Sequence, residues 1–104
     1  MNDYLFICSA NLYRGPTAEH MARLEGLKAD SAGTVITAVR RLSIYDLDRA
    51  NRIVCMEQEH AEYVMQLDHK AFDRLTIWGI PDDYGYCDPD LMKLIRAKMT
   101  DSGE

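Results

Sequence analysis

The sequence contains little of what marks a secreted, membrane-bound or nucleic-acid-binding protein. Its three cysteines are an odd number without CxxC spacing, which argues against a disulfide framework and for a reducing compartment. No apolar run approaches the roughly 20 residues that span a bilayer, and no signal-peptide pattern opens the chain. The formal charge of −5, without a cluster of lysine and arginine, argues against binding to nucleic acid. We therefore expect a cytoplasmic protein with no membrane or nucleic-acid partner.

The chain does have the apolar content of one ordinary core. Its 104 residues are 47% hydrophobic, which predicts a single domain over residues 1–104. Short apolar runs alternate with helical patterns. The predicted strands are 4–8, 28–32, 52–56 and 74–78, and the predicted helices are 16–26, 44–50, 57–67 and one that begins at residue 89. This alternation of four strands with helices predicts an α/β fold with a mainly parallel sheet and helices on both faces.

Helical periodicity and capping patterns add local expectations. Ser43, followed three residues later by Asp46, predicts an N-cap that opens a short helix. The three histidines follow no metal-ligand spacing and are expected on the surface or on helix faces, so no metal site is predicted. The side chains expected to face the core from the longer helices are Ala18, Met21, Ala22, Ala61, Val64, Leu67, Leu91, Leu94 and Ile95.

The segment between the first strand and the first helix has the chemistry of an anion site. It runs from Cys8 to Arg14 and leads into a helix whose first turn contains Pro16. Inward N–H groups and the helix N-terminus favour a phosphate, and Arg14 offers two parallel donors. The same positive field is expected to lower the Cys8 pKa and make Cys8 a nucleophile, while Asn11 tolerates the left-handed backbone of a tight loop. The predicted phosphate-binding residues are Ser9, Ala10, Asn11, Leu12, Tyr13 and Arg14.

A cysteine that attacks phosphorus expels a poor leaving group, so the reaction needs an acid. Ligands of α/β folds lie at the carboxyl ends of the strands, where the loop after residue 78 also begins. Asp82 lies in that loop and is the candidate acid. From its position alone, Asp82 is interpreted equally well as a structural aspartate in the turn after Pro81. The neighbouring Asp83 is a second candidate for the acid.

Four segments, taken in order, resemble low-molecular-weight protein tyrosine phosphatases. Residues 5–19 resemble the opening of that family, 30–34 its second strand, 53–57 its third strand and 80–84 its acid loop. The resemblance implies a doubly wound four-stranded parallel sheet and two-step hydrolysis through a phosphocysteine, without a metal or other cofactor. It also implies a phosphorylated protein or small aryl phosphate as substrate and inorganic phosphate as product.

The resemblance assigns roles to individual residues. Cys8 would be the nucleophile, Arg14 the phosphate clamp, and Asp82 first the acid for the leaving group and then the base for water. Asn11, bonded by Ser31, would shape the loop. The implied substrate-pocket residues are Tyr84 together with Tyr13 or Tyr86.

The chain departs from the family pattern at several positions. Gly15 replaces the Ser or Thr whose hydroxyl supports the thiolate; Ser9 and Thr17 are candidate substitutes for that hydroxyl. Asp83 replaces the proline after the acid, and Glu57 replaces an aspartate. Tyr13 replaces the second loop cysteine, and the segment 34–43 is shorter than usual, which suggests a more open pocket.

Other functions stay open at this point. A non-hydrolytic phosphate- or phosphotyrosine-binding module would keep the loop without turnover, and a cysteine phosphocarrier would need a stable phosphocysteine. Arsenate reduction needs two further cysteines, but Cys55 is expected in the core and Cys87 in the late loop, with an oxidative disulfide to Cys8 as a lesser hypothesis. Phosphoarginine hydrolysis is disfavoured by bulky Leu12, where such relatives carry Thr.

Overall fold

The computed structural model describes residues 1–101, in which strands and helices alternate as predicted. Within this range no helix is both long and apolar enough to cross a bilayer. The elements in chain order are β1 (Asn2–Cys8), α1 (Arg14–Leu24), β2 (Ala29–Gly33), α2 (Ile44–Asp48), β3 (Ala50–Cys55), α3 (Gln58–Leu67), a 3₁₀ helix (His69–Arg74), β4 (Leu75–Ile77) and α4 (Pro89–Asp101).

The four strands form one parallel sheet in the order β2-β1-β3-β4. The chain passes from β1 to β2 on one side and continues to β3 on the other side of β1. The carboxyl ends of β1 and β3 therefore flank the point where the strand order reverses, which is where α/β sheets of this kind bind ligands. The loop after Cys8 and the turn after Cys55 begin at this point.

Both faces of the sheet are covered. Successive side chains of a strand point to opposite faces, so Tyr4, Phe6 and Cys8 join the cluster that contains the buried residues of α1 and α4. Leu5 and Ile7 join the cluster that contains those of α2, α3 and the 3₁₀ helix. The prediction of a doubly wound α/β sheet with helices on both faces is thereby confirmed.

Local chemistry explains where the predicted boundaries shift. Ser43 Oγ accepts the Asp46 N–H at 3.4 Å, and the Asp46 carboxylate accepts the Ser43 N–H at 2.9 Å, so the predicted cap is confirmed. The helix nevertheless ends at Asp48, because Ala50 already pairs with Asn2 at the start of β3. β4 covers only Leu75–Ile77, because the preceding residues form a 3₁₀ helix that the sequence pattern did not indicate.

Most of the core positions predicted from helical periodicity are buried. Two are not: Leu67 is 39% exposed and Leu94 is 37% exposed. Leu67 ends α3, and Leu94 lies at the edge of the apolar stripe of α4, beside the fully buried Leu91 and Ile95. Periodicity finds the centre of an apolar face more reliably than its edges, because neighbouring elements cover only the centre.

We expect Phe6→Ala to lower the free energy of unfolding by about 3–5 kcal/mol, the usual result of removing a buried aromatic ring. Phe6 is fully buried, and its ring centroid lies 5.3 Å from that of Tyr4 and 5.5 Å from that of Trp78. The matched control is Phe72→Ala, since Phe72 is 69% exposed and its removal should change stability by less than about 0.5 kcal/mol. Urea denaturation measures both; equal losses would contradict this account of the core.

Candidate active site

The loop after β1 is held by the segment that follows β2. The Thr34 N–H donates to the carbonyls of Cys8 at 3.1 Å and Ser9 at 2.9 Å, and the Val39 N–H donates to the Ala10 carbonyl at 3.1 Å. The C=O and N–H of a trans peptide point in opposite directions, and residues 1–101 contain no cis peptide bond. The N–H groups of the same peptides therefore point away from the 34–39 segment, into the concave side of the loop.

Two backbone positions allow this close approach. Asn11 has φ of 57°, the left-handed conformation expected for it. Gly33 comes so close to the loop that a Cβ on it would lie 2.5 Å from the Ser9 carbonyl oxygen. The implied bond between Ser31 and Asn11 is not present: Ser31 Oγ donates to Glu19 Oε1 at 3.1 Å, and Asn11 Oδ1 has no hydrogen-bond partner among residues 1–101.

Cys8 lies at the base of the loop and is only 2% exposed. Burial raises the pKa of the Cys8 thiol, and this effect outweighs the N–H groups of Gly15 and Asn11 and the charge of Arg14, all of which lower it, while the nearby Asp82 raises it further. The expectation of a lowered pKa was therefore wrong. That expectation took account of the positive field of the loop but not of the free-energy cost of removing a charged thiolate from water.

Arg14 is equally buried, at 2% exposure, and the nitrogens of its guanidinium have different partners. Nη1 donates to Glu57 Oε1 at 2.5 Å and to the Ile80 carbonyl at 2.9 Å. Nη2 lies 3.4 Å from Ser9 Oγ, and Nε lies 3.6 Å from Asp82 Oδ1. Nη1 is therefore fixed by the protein, while the edge formed by Nε and Nη2 lies between Ser9 and Asp82.

Glu57 and His60 are the site residues that sequence reasoning missed. Glu57 had been noted only as a departure from the family aspartate, although a carboxylate directly after β3 lies at the strand-order reversal, and that position was a usable signal. His60 was expected on a surface or helix face, yet it is fully buried. Its Nδ1 accepts the Glu57 N–H at 3.0 Å, and its Nε2 lies 2.9 Å from Ser9 Oγ.

The electrostatics of His60 follow from its position. Burial lowers the pKa of His60 from 6.5 to about 4; the Arg14 charge lowers it further, while Glu57 and Asp82 oppose the shift. Within residues 1–101, potential metal-ligand atoms of Glu57, Glu59 and His60 lie within 4.8 Å of one another. Glu57 is already paired with Arg14, and both ring nitrogens of His60 are in hydrogen bonds. These contacts leave the group poorly suited to a metal ion.

The three predicted pocket tyrosines have different environments. Tyr84 is half-buried and packs against the α1/α4 side of the core. Tyr13 is 42% exposed beside α1, and Tyr86 is 55% exposed with its ring centroid 6.4 Å from that of His20. Tyr86 also lines a surface cavity of about 610 Å³ together with Asn11 and Leu12. Of the three, Tyr86 is the one that lines this cavity beside the loop.

The surroundings of Cys55, Cys87 and Thr17 indicate structural roles for these residues. The pKa of Cys55 is raised to about 12 by burial in the core, in line with its predicted packing role. Cys87 is a free thiol with a left-handed backbone, φ 55°. Its N–H donates to Thr17 Oγ1 at 2.9 Å, so Thr17 ties the late loop to α1.

Comparison with known proteins gives a consistent result at the level of structure. Neither the protein-family models nor the curated proteins contain a match. Among solved structures, SP-PTP, a low molecular weight protein tyrosine phosphatase from Streptococcus pyogenes, aligns over 97% of this chain and 90% of its own, with a TM-score of 0.79 and 18% identity. The chain has the fold of the low-molecular-weight protein tyrosine phosphatases.

Two further structures show the range of this fold. The tyrosine phosphatase Wzb from Escherichia coli K30, in complex with phosphate, covers 93% of both chains with a TM-score of 0.74 and 21% identity. The YwlE arginine phosphatase from Geobacillus stearothermophilus aligns over 98% of this chain and 95% of its own, with a TM-score of 0.75 and 18% identity. At these identities the likeness establishes the fold alone.

We expect Gly15→Ser to make Cys8 more reactive than Gly15→Ala does. A Cβ at this position would lie 3.2 Å from Cys8 Sγ and 3.3 Å from the Ser31 Cβ, so both variants introduce the same tight contact. Only serine adds a hydroxyl that can donate to the thiolate, and a hydrogen bond to a charged group contributes about 1.5–3 kcal/mol. Alkylation by iodoacetamide at pH 7 should therefore be roughly tenfold faster in Gly15→Ser. Equal rates would show that no hydroxyl from this position reaches the sulfur.

We expect His60 to make the fold sensitive to acid. Its folded pKa of about 4 lies below the ordinary 6.5, so its contribution is complete above pH 6.5 and is lost as pH falls toward 4, where the unfolded chain binds the extra proton. Between pH 7 and 4 the wild type should lose up to about 3 kcal/mol more stability than His60→Asn. Urea denaturation at both pH values measures this difference. The exposed His69 is the control, and His69→Asn should behave as the wild type does.

Proposed function

We propose that this chain is a cysteine-dependent phosphatase that hydrolyses phosphate monoesters through a phosphocysteine. One observation carries the proposal: the buried Cys8 receives the N–H groups of Gly15 and Asn11, and the Nε and Nη2 edge of the buried Arg14 lies between Ser9 and Asp82. A nucleophile, a two-pronged oxyanion donor and a carboxylic acid thus share one site. The phosphatases with the same fold support this class of reaction.

The first step forms the phosphocysteine. The Cys8 thiolate attacks phosphorus, the bond between phosphorus and the ester oxygen breaks with its electron pair on oxygen, and protonated Asp82 gives that oxygen its proton. The charge on the three other phosphate oxygens is met by the loop N–H groups and by Arg14. Because Glu57 and the Ile80 carbonyl hold Nη1, the remaining edge of Arg14 keeps its orientation during the reaction.

The second step regenerates the enzyme. Asp82, now ionised, takes a proton from water as the water oxygen attacks phosphorus, and the sulfur–phosphorus bond breaks with its electrons on sulfur. The departing thiolate is stabilised by the N–H groups of Gly15 and Asn11 and by the charge of Arg14. Inorganic phosphate is released, and no cofactor takes part in either step.

Geometry favours Asp82 over Asp83 as the acid. Asp82 Oδ1 lies 3.6 Å from Arg14 Nε, and its charge acts on both Cys8 and His60. The Asp82 side chain is also 58% exposed, so water can reach it for the second step. Asp83 is exposed and, within residues 1–101, forms no side-chain hydrogen bond or ion pair with the site.

The substrate class is assigned from the mouth of the loop. Leu12 is 47% exposed and lines the neighbouring cavity together with Tyr86, and these two side chains offer apolar surface to the ring of a phosphotyrosine or small aryl phosphate. The same cavity is also lined by Glu19, Arg23, Asp30 and Arg40. Some relatives of this fold are arginine phosphatases, but bulky Leu12 favours an aryl ester here. The Arg14–Asp82 arrangement also favours hydrolysis over a phosphocarrier or a pure binding module, since both of those need no acid.

We expect hydrolysis of para-nitrophenyl phosphate in the presence of a chelator, measured from pH 4.5 to 8. Cys8→Ser should abolish turnover because the intermediate cannot form. Asp82→Asn should lower kcat by about 10²–10⁴-fold, the usual contribution of a general acid. Asp83→Asn is the matched control and should stay within a few-fold of the wild type.

The outcomes separate the competing functions. A large loss in Asp83→Asn and none in Asp82→Asn would move the acid to Asp83. Phosphate binding without turnover in the wild type would exclude the phosphatase and leave the binding module or the phosphocarrier. Faster hydrolysis of phosphoarginine than of phosphotyrosine would overturn the substrate class but not the mechanism.

A further inference from the structure

Ser9 is unusual in the loop because its side chain, as well as its backbone, is held in place. Its Oγ lies 2.9 Å from His60 Nε2 and 3.4 Å from Arg14 Nη2. Both contacts cross from the loop to other parts of the site: His60 belongs to α3 and Arg14 begins α1. The hydroxyl is therefore fixed beside one end of the arginine edge that lies between Ser9 and Asp82.

The tautomer of His60 determines the direction of its bond to Ser9. Nδ1 accepts the Glu57 N–H, so it carries no proton, and the proton of the neutral ring is on Nε2. Nε2 therefore donates to Ser9 Oγ. This direction excludes the familiar arrangement in which a histidine removes the proton of a serine nucleophile. The ring stays neutral near pH 7 because burial lowers the His60 pKa to about 4.

The hydrogen bonds at Ser9 leave one donor free. The oxygen accepts from His60 and from Arg14, so both of its lone pairs are used. Its own proton has no acceptor among residues 1–101 and must point away from both donors. The Nη2 that donates to Ser9 is also on the edge of Arg14 that is open to an oxyanion.

We propose that the Ser9 hydroxyl donates a hydrogen bond to the bound phosphate, in addition to the loop N–H groups, and that His60 is the positioning residue that orients it. The inference rests on the proposed function for the identity of the anion. Ser9 and Asp82 then lie at opposite ends of the Arg14 edge, with the donor at one end and the acid at the other. The Ser9 hydroxyl thus gives the site a side-chain donor, whereas Gly15 has no side chain that could supply one.

The test compares variants that separate the two bonds of His60. In His60→Asn, the amide oxygen can still accept the Glu57 N–H, but the side chain is too short to reach Ser9. In His60→Gln, the amide nitrogen lies near the former Nε2 and can still donate to Ser9, while the cap at Glu57 is lost. Ser9→Ala removes the hydroxyl itself. The measurement is the dissociation constant of inorganic phosphate by calorimetry, with vanadate inhibition as a second probe.

We expect Ser9→Ala and His60→Asn each to weaken phosphate binding by about tenfold or more, as for a lost hydrogen bond to a charged group, and His60→Gln to stay within a few-fold of the wild type. The double variant of Ser9→Ala and His60→Asn should bind no more weakly than Ser9→Ala alone. Wild-type affinity in Ser9→Ala would overturn the inference. So would a pattern in which Gln fails and Asn does not, because His60 would then act only as a cap.

This readout is independent of turnover. If the wild type binds phosphate but does not hydrolyse para-nitrophenyl phosphate, the proposed function fails while the comparison among the Ser9 and His60 variants still decides the inference. If the wild type binds and hydrolyses, and Ser9→Ala matches it in both, the inference fails and the proposed function stands. A thermal melt of each variant confirms that the compared proteins are folded.

Discussion

The buried charge of Arg14 is the constraint on which the site depends. A guanidinium that is 2% exposed is costly unless its donors are paired, and the fold pairs them with Glu57 after β3 and with the Ile80 carbonyl after β4. These partners are 43 and 66 residues from Arg14 in sequence. The parallel sheet brings them together by placing the carboxyl ends of its strands along one edge. Satisfying this one side chain therefore requires three strands to be in register.

The enclosure of the site also determines the chemistry of Cys8. Burial raises the pKa of the thiol more than the N–H groups of Gly15 and Asn11 and the charge of Arg14 lower it. The Nε and Nη2 edge of Arg14 lies beside Ser9 Oγ and the Asp82 carboxylate, whereas Nη1 is paired with Glu57. Dipoles that are already oriented suit a dianion that arrives and leaves, because the site need not reorganise around it.

Much of the fold and part of the site could be predicted from sequence. Alternating apolar runs revealed the four strands, and the loop from Cys8 to Arg14 revealed its left-handed Asn11, because these features are encoded within a few neighbouring residues. The partners of the long side chains were not predictable in the same way. Whether Ser31 bonds Asn11 or Glu19, and whether His60 is buried or exposed, depends on which elements meet in three dimensions, and no local pattern carries that information.

The bonds between the loop and the segment after β2 link anion binding to the stability of the whole domain. Thr34 and Val39 hold the carbonyls of the loop in the folded protein, and the unfolded chain lacks this arrangement. An oxyanion that binds only the native state shifts the folding equilibrium by RT ln(1 + [L]/Kd), about 1.4 kcal/mol for each tenfold excess over Kd. If the proposed function holds, phosphate is the product of the reaction, and its binding would protect the protein from heat and proteases.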